Sequence, residues 1–236
     1  MEVKLLEVNK EEVINKLYVA CRTCYSARTP QEQWEKVNEV SEEKKLKLIK
    51  HVLDSRHHSV LEHQQFTFLI SGVSRACSMQ FIRHRHASIS QQSQRYCEFK
   101  DGKFDYVIPK EIEKNDYLRG LFVGTMEHLA DVYKKFIDCG VAAEDARAVL
   151  PNACTTNLTW SCNIRELMHV ASERKCMMAQ EEIRNLVNLM VKEVVKELPF
   201  LKEYLVEKCS QLGYCPENKK RSCGRKPTKS EIFKEV

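Results

Sequence analysis

The apolar positions of this chain change period several times, and each change marks an element. The opening "MEVKLLEV" alternates enough to predict a strand. "KEEVINKLYVACRTCY" switches to helical spacing, with Val13, Leu17, Ala20 and Cys24 on one side. "SEEKKLKLIKHVLDS" predicts a second helix, with Ser41 as N-cap, acids in its first turn and an end near Asp54. "EHQQFTFLISGV" returns to period two through Phe66, Phe68 and Ile70, a strand broken at Ser71-Gly72. "VSRACSMQFIRH" predicts a short helix, and "RYCEF" and "FDYVIP" predict short strands. Residues 111–138 carry the longest helical pattern, through Leu118, Leu121, Phe122, Leu129, Val132, Tyr133 and Phe136. "AAEDARAVLP" predicts a short helix stopped at Pro151, and "CTTNLTWS" a strand. "NIRELMHVASERK" and "EEIRNLVNLMVKEVVKEL" predict two more helices, the second ending before Pro199.

Strands scattered among helices, with no regular βα alternation, predict an α+β fold. The expected architecture is a single domain in which a small, mostly antiparallel sheet packs with several helices. That domain is expected over 1–212. From Gly213 the character changes, and 213–236 reads as a basic, cysteine-containing C-terminal tail with Pro216, Gly224 and Pro227. The apolar stripe from Ile183 to Val195 reads as core or subunit interface.

Length and charge narrow the function. A chain of 236 residues can bury one substantial core. Its net charge of +5 falls well short of a dedicated nucleic-acid binder. No apolar run approaches the roughly 18 residues of a membrane span, and the N-terminus has no signal or transit pattern. The expectation is a cytoplasmic protein with no membrane partner, whose eleven cysteines are reduced thiols.

The chemistry concentrates in "RHRHASISQQSQRY", residues 83–96. Fourteen residues hold three arginines, two histidines, three serines and three glutamines, with no acid. Arginine offers a planar fork of donors matched to phosphate, while Ser and Gln suit the edge of a heterocycle. The composition suits a nucleotide, or else a solvated basic segment. No GxGxxG, GxxxxGK[ST] or GxSxG is present, so no glycine loop holds a phosphate. A nucleic-acid-binding module using this stretch and the tail "KKRSCGRKPTK" is the alternative, and it lacks basic–aromatic interleaving. The histidines His57, His58, His63, His84 and His86 have no HExxH spacing, and no metal site is expected from them. Cys21-x-x-Cys24 reads as packed thiols within a helix, or as a redox pair. Cys209, Cys215 and Cys223 lack a CxxC knuckle and read as a loose or docked tail, or as three metal ligands.

The same stretch matches the signature of the flavin-dependent thymidylate synthases (the thymidylate synthase-complementing protein family) at Arg83, His84, Arg85, Ser88, Ser93, Arg95 and Tyr96. "RHHSVLEHQQFTF" resembles a second family block through His57, Ser59, Glu62 and His63. "ARAVLPNACTTNLTWSCNIRELMHVASERK" resembles a third, through Arg147, Leu150-Pro151, Asn163, Arg165, Leu167-Met168 and Arg174. The resemblance runs in the family's order over about residues 15–205.

It implies reductive methylation of dUMP to dTMP in de novo dTMP biosynthesis. Methylenetetrahydrofolate would give the carbon, reduced FAD the hydride, and NADPH the electrons. By position, Gln80, Arg83, Gln91, Gln92, Ser93, Arg95, Arg147 and Arg174 match dUMP contacts. His57, Ser59, Arg83, His84, Arg85, Gln91, Asn163, Arg165 and His169 match FAD contacts. Arg174 is the expected catalytic residue, polarising uracil as C5 becomes nucleophilic. Ser93 is expected to bind rather than attack, since no base is reserved for it. The resemblance also implies a homotetramer with shared active sites. Ser90 and Gln91 depart from a common Asn and Glu, and His169 from a common Asn.

Overall fold

A computed structural model of the chain describes residues 1–99 and 102–233; the tail's last three residues fall outside it. The elements run β1 (Glu2–Leu5), α1 (Lys10–Thr23), α2 (Pro30–Glu35), α3 (Glu42–Asp54), β2 (Gln65–Ser74), α4 (Arg75–Phe81) and β3 (Ala87–Gln91). They continue with α5 (Lys110–Glu113), α6 (Asp116–Asp138), α7 (Ala143–Ala146), β4 (Thr155–Asn163), α8 (Ile164–Arg174) and α9 (Glu181–Glu197). The last two are α10 (Lys208–Leu212) and α11 (Lys229–Ile232). A 3₁₀ segment, His58–His63, precedes β2. The strands form one four-stranded antiparallel sheet in the order β1-β2-β4-β3, and the fold is α+β as expected.

Several boundaries differ from the sequence reading, each for a local reason. β2 does not stop at Ser71-Gly72 but continues to Ser74. Gly72 takes φ +71°, which a side chain rarely tolerates, and a Cβ there would meet the Met1 backbone nitrogen at 3.3 Å. Its N–H donates to Asn157 Oδ1 at 3.2 Å, so the strand is held through the irregularity. "RYCEF" is a turn and coil, and "FDYVIP" makes a single bridge between Tyr106 and Cys154. Their aromatic rings explain this. Phe99 packs edge-on to Phe104 and Tyr133, and Tyr106 to Phe122, so packing rather than a ladder sets that backbone. The long pattern at 111–138 divides into α5 and α6, because Asn115 accepts the Leu118 N–H at 3.0 Å and starts a new helix.

The chain groups into two compact units. Unit 1 comprises 1–3, 69–85 and 89–160. Its core gathers Phe104, Met126 and Cys154, with Phe122, Leu129 and Leu150 packed against them. Unit 2 comprises 4–68, 86–88 and 161–236. There α1 packs on α3, and α8 on both α9 and the 3₁₀ segment. Leu17, Ile49, Leu61, Leu167, Val187 and Met190 are fully buried in it. Among the described residues, no helix is long and apolar enough to cross a membrane.

Candidate functional site

In unit 1, the signature stretch begins in the turn after α4. Arg83 and Arg85 stand exposed there, whereas His84 is buried with its ring edge-on to Phe81 at 6.3 Å. Gln80 lies on α4 and donates to the Ala76 carbonyl at 3.3 Å. The chain then enters β3, which places Gln91 beside β4. The Gln91 amide donates to Ser78 Oγ at 3.1 Å and Thr156 Oγ1 at 3.2 Å, two hydroxyls on buried residues. Gln92 exchanges bonds with Asn157: its N–H reaches the Asn157 carbonyl at 2.9 Å, and its Oε1 accepts the Asn157 amide at 2.8 Å.

Beyond β3 the chain turns, and Ser93 Oγ accepts the Arg95 N–H at 3.2 Å. Arg95 reaches Glu144 with two nitrogens, Nε at 2.9 Å and Nη2 at 2.8 Å, and its guanidinium lies 5.4 Å from the Tyr96 ring centroid. Arg147 donates to the backbone carbonyl of the same Glu144 at 3.0 Å. Thus Arg95 and Arg147 meet at Glu144, with Arg95 half-exposed and Ser93 bonded to the Arg95 backbone. Guanidinium groups and a hydroxyl are donor types that suit a phosphate. Gln91 and Gln92 precede Ser93 directly, anchored by side chains so that their backbone is fixed.

In unit 2, Asn163 caps α8 by accepting the Glu166 N–H at 2.8 Å. Arg165 follows in the first turn and pairs with Glu62 of the 3₁₀ segment. His57 and Ser59 are exposed at the start of that segment. They follow Arg56, whose φ of +62° is uncommon for a side-chain-bearing residue. His169 is exposed one turn beyond Arg165. Burial raises the Glu166 carboxyl above the usual carboxylate range, while His169 and His86 pull it the other way. Arg174 ends α8 and lines a cavity of about 330 Å³ together with Ser172 and Glu173.

The sequence reading missed the inward partners of these residues: Glu144 for Arg95 and Arg147, Ser78 and Thr156 for Gln91, Asn157 for Gln92. Only Glu144 had a local signal, three residues before Arg147 in a short helix.

The family model described as thymidylate synthase complementing protein matches residues 4–200. The chain belongs to that family. It is 39% identical to the flavin-dependent thymidylate synthase of Nitratidesulfovibrio vulgaris, covering 94% of each chain. It is 39% identical to that of Clostridium tetani, over 99% of this chain and 97% of the relative. Family structures share the fold at lower identity. ThyX of Helicobacter pylori, complexed with FAD and dUMP, superposes with a TM-score of 0.68 at 23% identity, over 88% of this chain and 100% of that one. The UMP/dUMP methylase PolB of Streptomyces cacaoi, bound with 5-Br dUMP, gives 0.70 at 23%, over 86% and 93%. The family match leaves the nucleic-acid-binding alternative without support.

Proposed function

We propose that this protein methylates dUMP to dTMP, taking the carbon from methylenetetrahydrofolate, with FAD as its hydride carrier and NADPH as reductant. The observation that carries this reading is the family match over residues 4–200, which includes all three signature blocks. The site chemistry agrees with it. Ser93, Arg95 and Arg147 would hold the dUMP phosphate, with the Gln91 and Gln92 backbone behind it and Gln80 and Arg83 completing the nucleotide set. Arg174 would lie against the uracil edge, where a fixed planar cation stabilises negative charge as C5 becomes nucleophilic.

The exposed donors also fit a flavin dinucleotide. Arg83 and Arg85 of unit 1 would supply charge suited to its pyrophosphate, and so, in unit 2, would Arg165 in the first turn of α8, at the positive end of a helix. His57, Ser59, Asn163 and His169 supply neutral donors and acceptors for rings and sugar. His84 is buried on Phe81, so its part is to shape the turn that carries Arg83 and Arg85. Bound FAD would supply the hydride chemistry that no side chain has.

Assembly into a homotetramer with shared sites belongs to the same proposal. α6 supports it: Tyr117, Leu118 and Leu121 leave apolar surface exposed on a single chain, at 77%, 42% and 60%. A cytoplasmic, reducing setting suits eleven free thiols. The purified protein should be yellow, release FAD on denaturation, and show a change in flavin absorption when dUMP is added. A colourless protein that takes up no FAD would contradict the reading.

A further inference from the structure

The C-terminal tail folds with almost no apolar core of its own. From residue 213 on, only Cys215 and Thr228 are buried among the described residues. So little burial does not offset the entropy of ordering a polar, Lys- and Arg-rich segment. The segment nevertheless folds back on itself. The Cys215 N–H donates to the Pro227 carbonyl at 2.7 Å, and the Lys229 N–H to the Cys215 carbonyl at 3.2 Å. Short polar folds of this kind are usually held by a cross-link or a metal.

Four thiols are available for that task around one cavity of about 330 Å³. Cys176 comes from the loop between α8 and α9, Cys209 from α10, and Cys215 and Cys223 from the tail. All four are free thiols, and Cys215 is buried. A divalent cation draws the protons off such thiols and is held by the resulting thiolates.

The backbone and the charges suit this use. Gly213 and Gly224 take φ of +81° and +79°, giving sharp reversals two residues before Cys215 and directly after Cys223. Arg174, Lys208, Arg221 and Lys226 line the cavity against Glu173, Glu207 and Glu217. A tetrathiolate around a divalent ion carries two negative charges, which Lys208, Arg221 and Lys226 help to balance. Among the described residues no three side chains are yet close enough to hold an ion. Metal binding would draw the four sulfurs in to metal–sulfur distances of about 2.3 Å.

We propose that Cys176, Cys209, Cys215 and Cys223 form a tetrathiolate site for zinc that staples the C-terminal tail to the loop after α8. Binding would convert four thiols and one Zn²⁺ to a tetrathiolate complex with release of four protons, and no electron is transferred.

The test uses the full chain, purified under reducing conditions from zinc-supplemented culture with any affinity tag removed. Elemental analysis should find zinc equimolar with protein. Replacement by Co²⁺ should give intense thiolate-to-cobalt charge-transfer absorption and the visible bands of a tetrahedral cobalt site. Cys209→Ser and Cys223→Ser should each lose the metal, while Cys139→Ser, outside the cavity, should keep it. Chelation should make the tail sensitive to protease without releasing the rest of the chain. The cobalt spectrum of the unaltered protein needs no variant to fold. Absence of zinc and of cobalt–thiolate bands would overturn the proposal. So would zinc retained by both Ser variants, or a disulfide among the four cysteines in the freshly purified protein.

Discussion

Glu144 holds Arg95 through its carboxylate, at 2.9 and 2.8 Å. On the proposed function, the dUMP phosphate would compete with that carboxylate for the same guanidinium. Both side chains are about half exposed, so the pair itself contributes only about 0–1 kcal/mol. Arg95→Ala should weaken dUMP binding roughly tenfold to a hundredfold, the loss of one charge-assisted bond of about 1.5–3 kcal/mol. It should leave the binding of deoxyuridine unchanged. Glu144→Gln should tighten dUMP by up to a few fold, as expected for removing a competitor of that strength. Calorimetric titration with nucleotide and nucleoside checks both, and an equal loss for the two ligands in Arg95→Ala would place Arg95 away from the phosphate.

Gln91 is tied to two buried hydroxyls, Ser78 and Thr156. The Ser78 hydroxyl already donates to the Arg75 carbonyl at 3.0 Å, so in Gln91→Glu only the Thr156 hydroxyl can turn to donate, and Ser78 Oγ loses its donor. Gln91→Leu removes the donor from both oxygens; both variants should be destabilised, Gln91→Leu by about 1–3 kcal/mol. Urea midpoints give the comparison, and parental stability in Gln91→Leu would show that the two bonds contribute nothing.

Arg95, Arg147 and Gln91 also mark how far the sequence could be read. The signature stretch was legible as nucleotide chemistry because its residue types are unusual together. Its strand was not: β3 is built from Ala87, Ser88, Ile89, Ser90 and Gln91, and an edge strand of such polarity carries no apolar alternation. α1 and α9 were legible because their apolar positions repeat with helical period: Val13 and Leu17 are buried in α1, and Ile183, Leu186, Val187, Met190 and Val194 in α9; in α6 the stripe through Leu118, Leu121 and Phe136 is left exposed. The short α2 escaped the reading although Thr29, Pro30 and Glu32 form a capping box with Pro at the first turn. "FDYVIP" pairs only around Tyr106, through Val107 N–H to Ala153 and Thr155 N–H to Asp105, too short a stretch to make a strand. The partners of Arg95, Gln91 and Gln92 come from distant segments, and the convergence of Cys176 on the tail cysteines is equally non-local.

Arg165 places a cation in the first turn of α8, at the positive end of the helix. The cost is roughly 0.3–1 kcal/mol, and the half-exposed pair with Glu62 offsets only about as much. Arg165→Ala should therefore melt at or slightly above the parent temperature in the absence of ligand. Its affinity for FAD should fall at least tenfold, in keeping with the loss of about 1.5–3 kcal/mol from one charge-assisted bond. Melting curves and a flavin fluorescence titration separate the two effects, and lost stability with unchanged FAD affinity would make Arg165 structural.

Burial raises the Glu166 carboxyl, so the folded state binds that proton more tightly than the unfolded state. Stability from this group is then present below its unfolded value and lost as pH rises through the raised folded value. His169 and His86 face it and reduce the effect without reversing it. Glu166→Gln has no proton to lose. The melting temperature of the variant minus that of the parent should grow from acid to neutral pH and then level off. A difference that stays constant across that window would contradict this account.

Arg174→Lys keeps a cation at the end of α8, where the helix favours one, and removes the planar fork. The variant should fold, bind FAD and accept electrons from NADPH, yet lose turnover by roughly 10²–10³, the range for one charge-stabilising donor. Near-normal dTMP formation in the folded variant would return Arg174 to a helix-end role.

The central claim is the reaction itself, and product formation tests it most directly. Purified protein is incubated with dUMP, methylenetetrahydrofolate, FAD and NADPH, and the nucleotides are separated and weighed by mass spectrometry. The account predicts dTMP only when dUMP, methylenetetrahydrofolate and NADPH are all present and the protein carries FAD, bound or added back after stripping, with the added methylene carbon traceable to labelled folate. No dTMP from folded, FAD-loaded protein, or dTMP formed equally well without flavin, would contradict it.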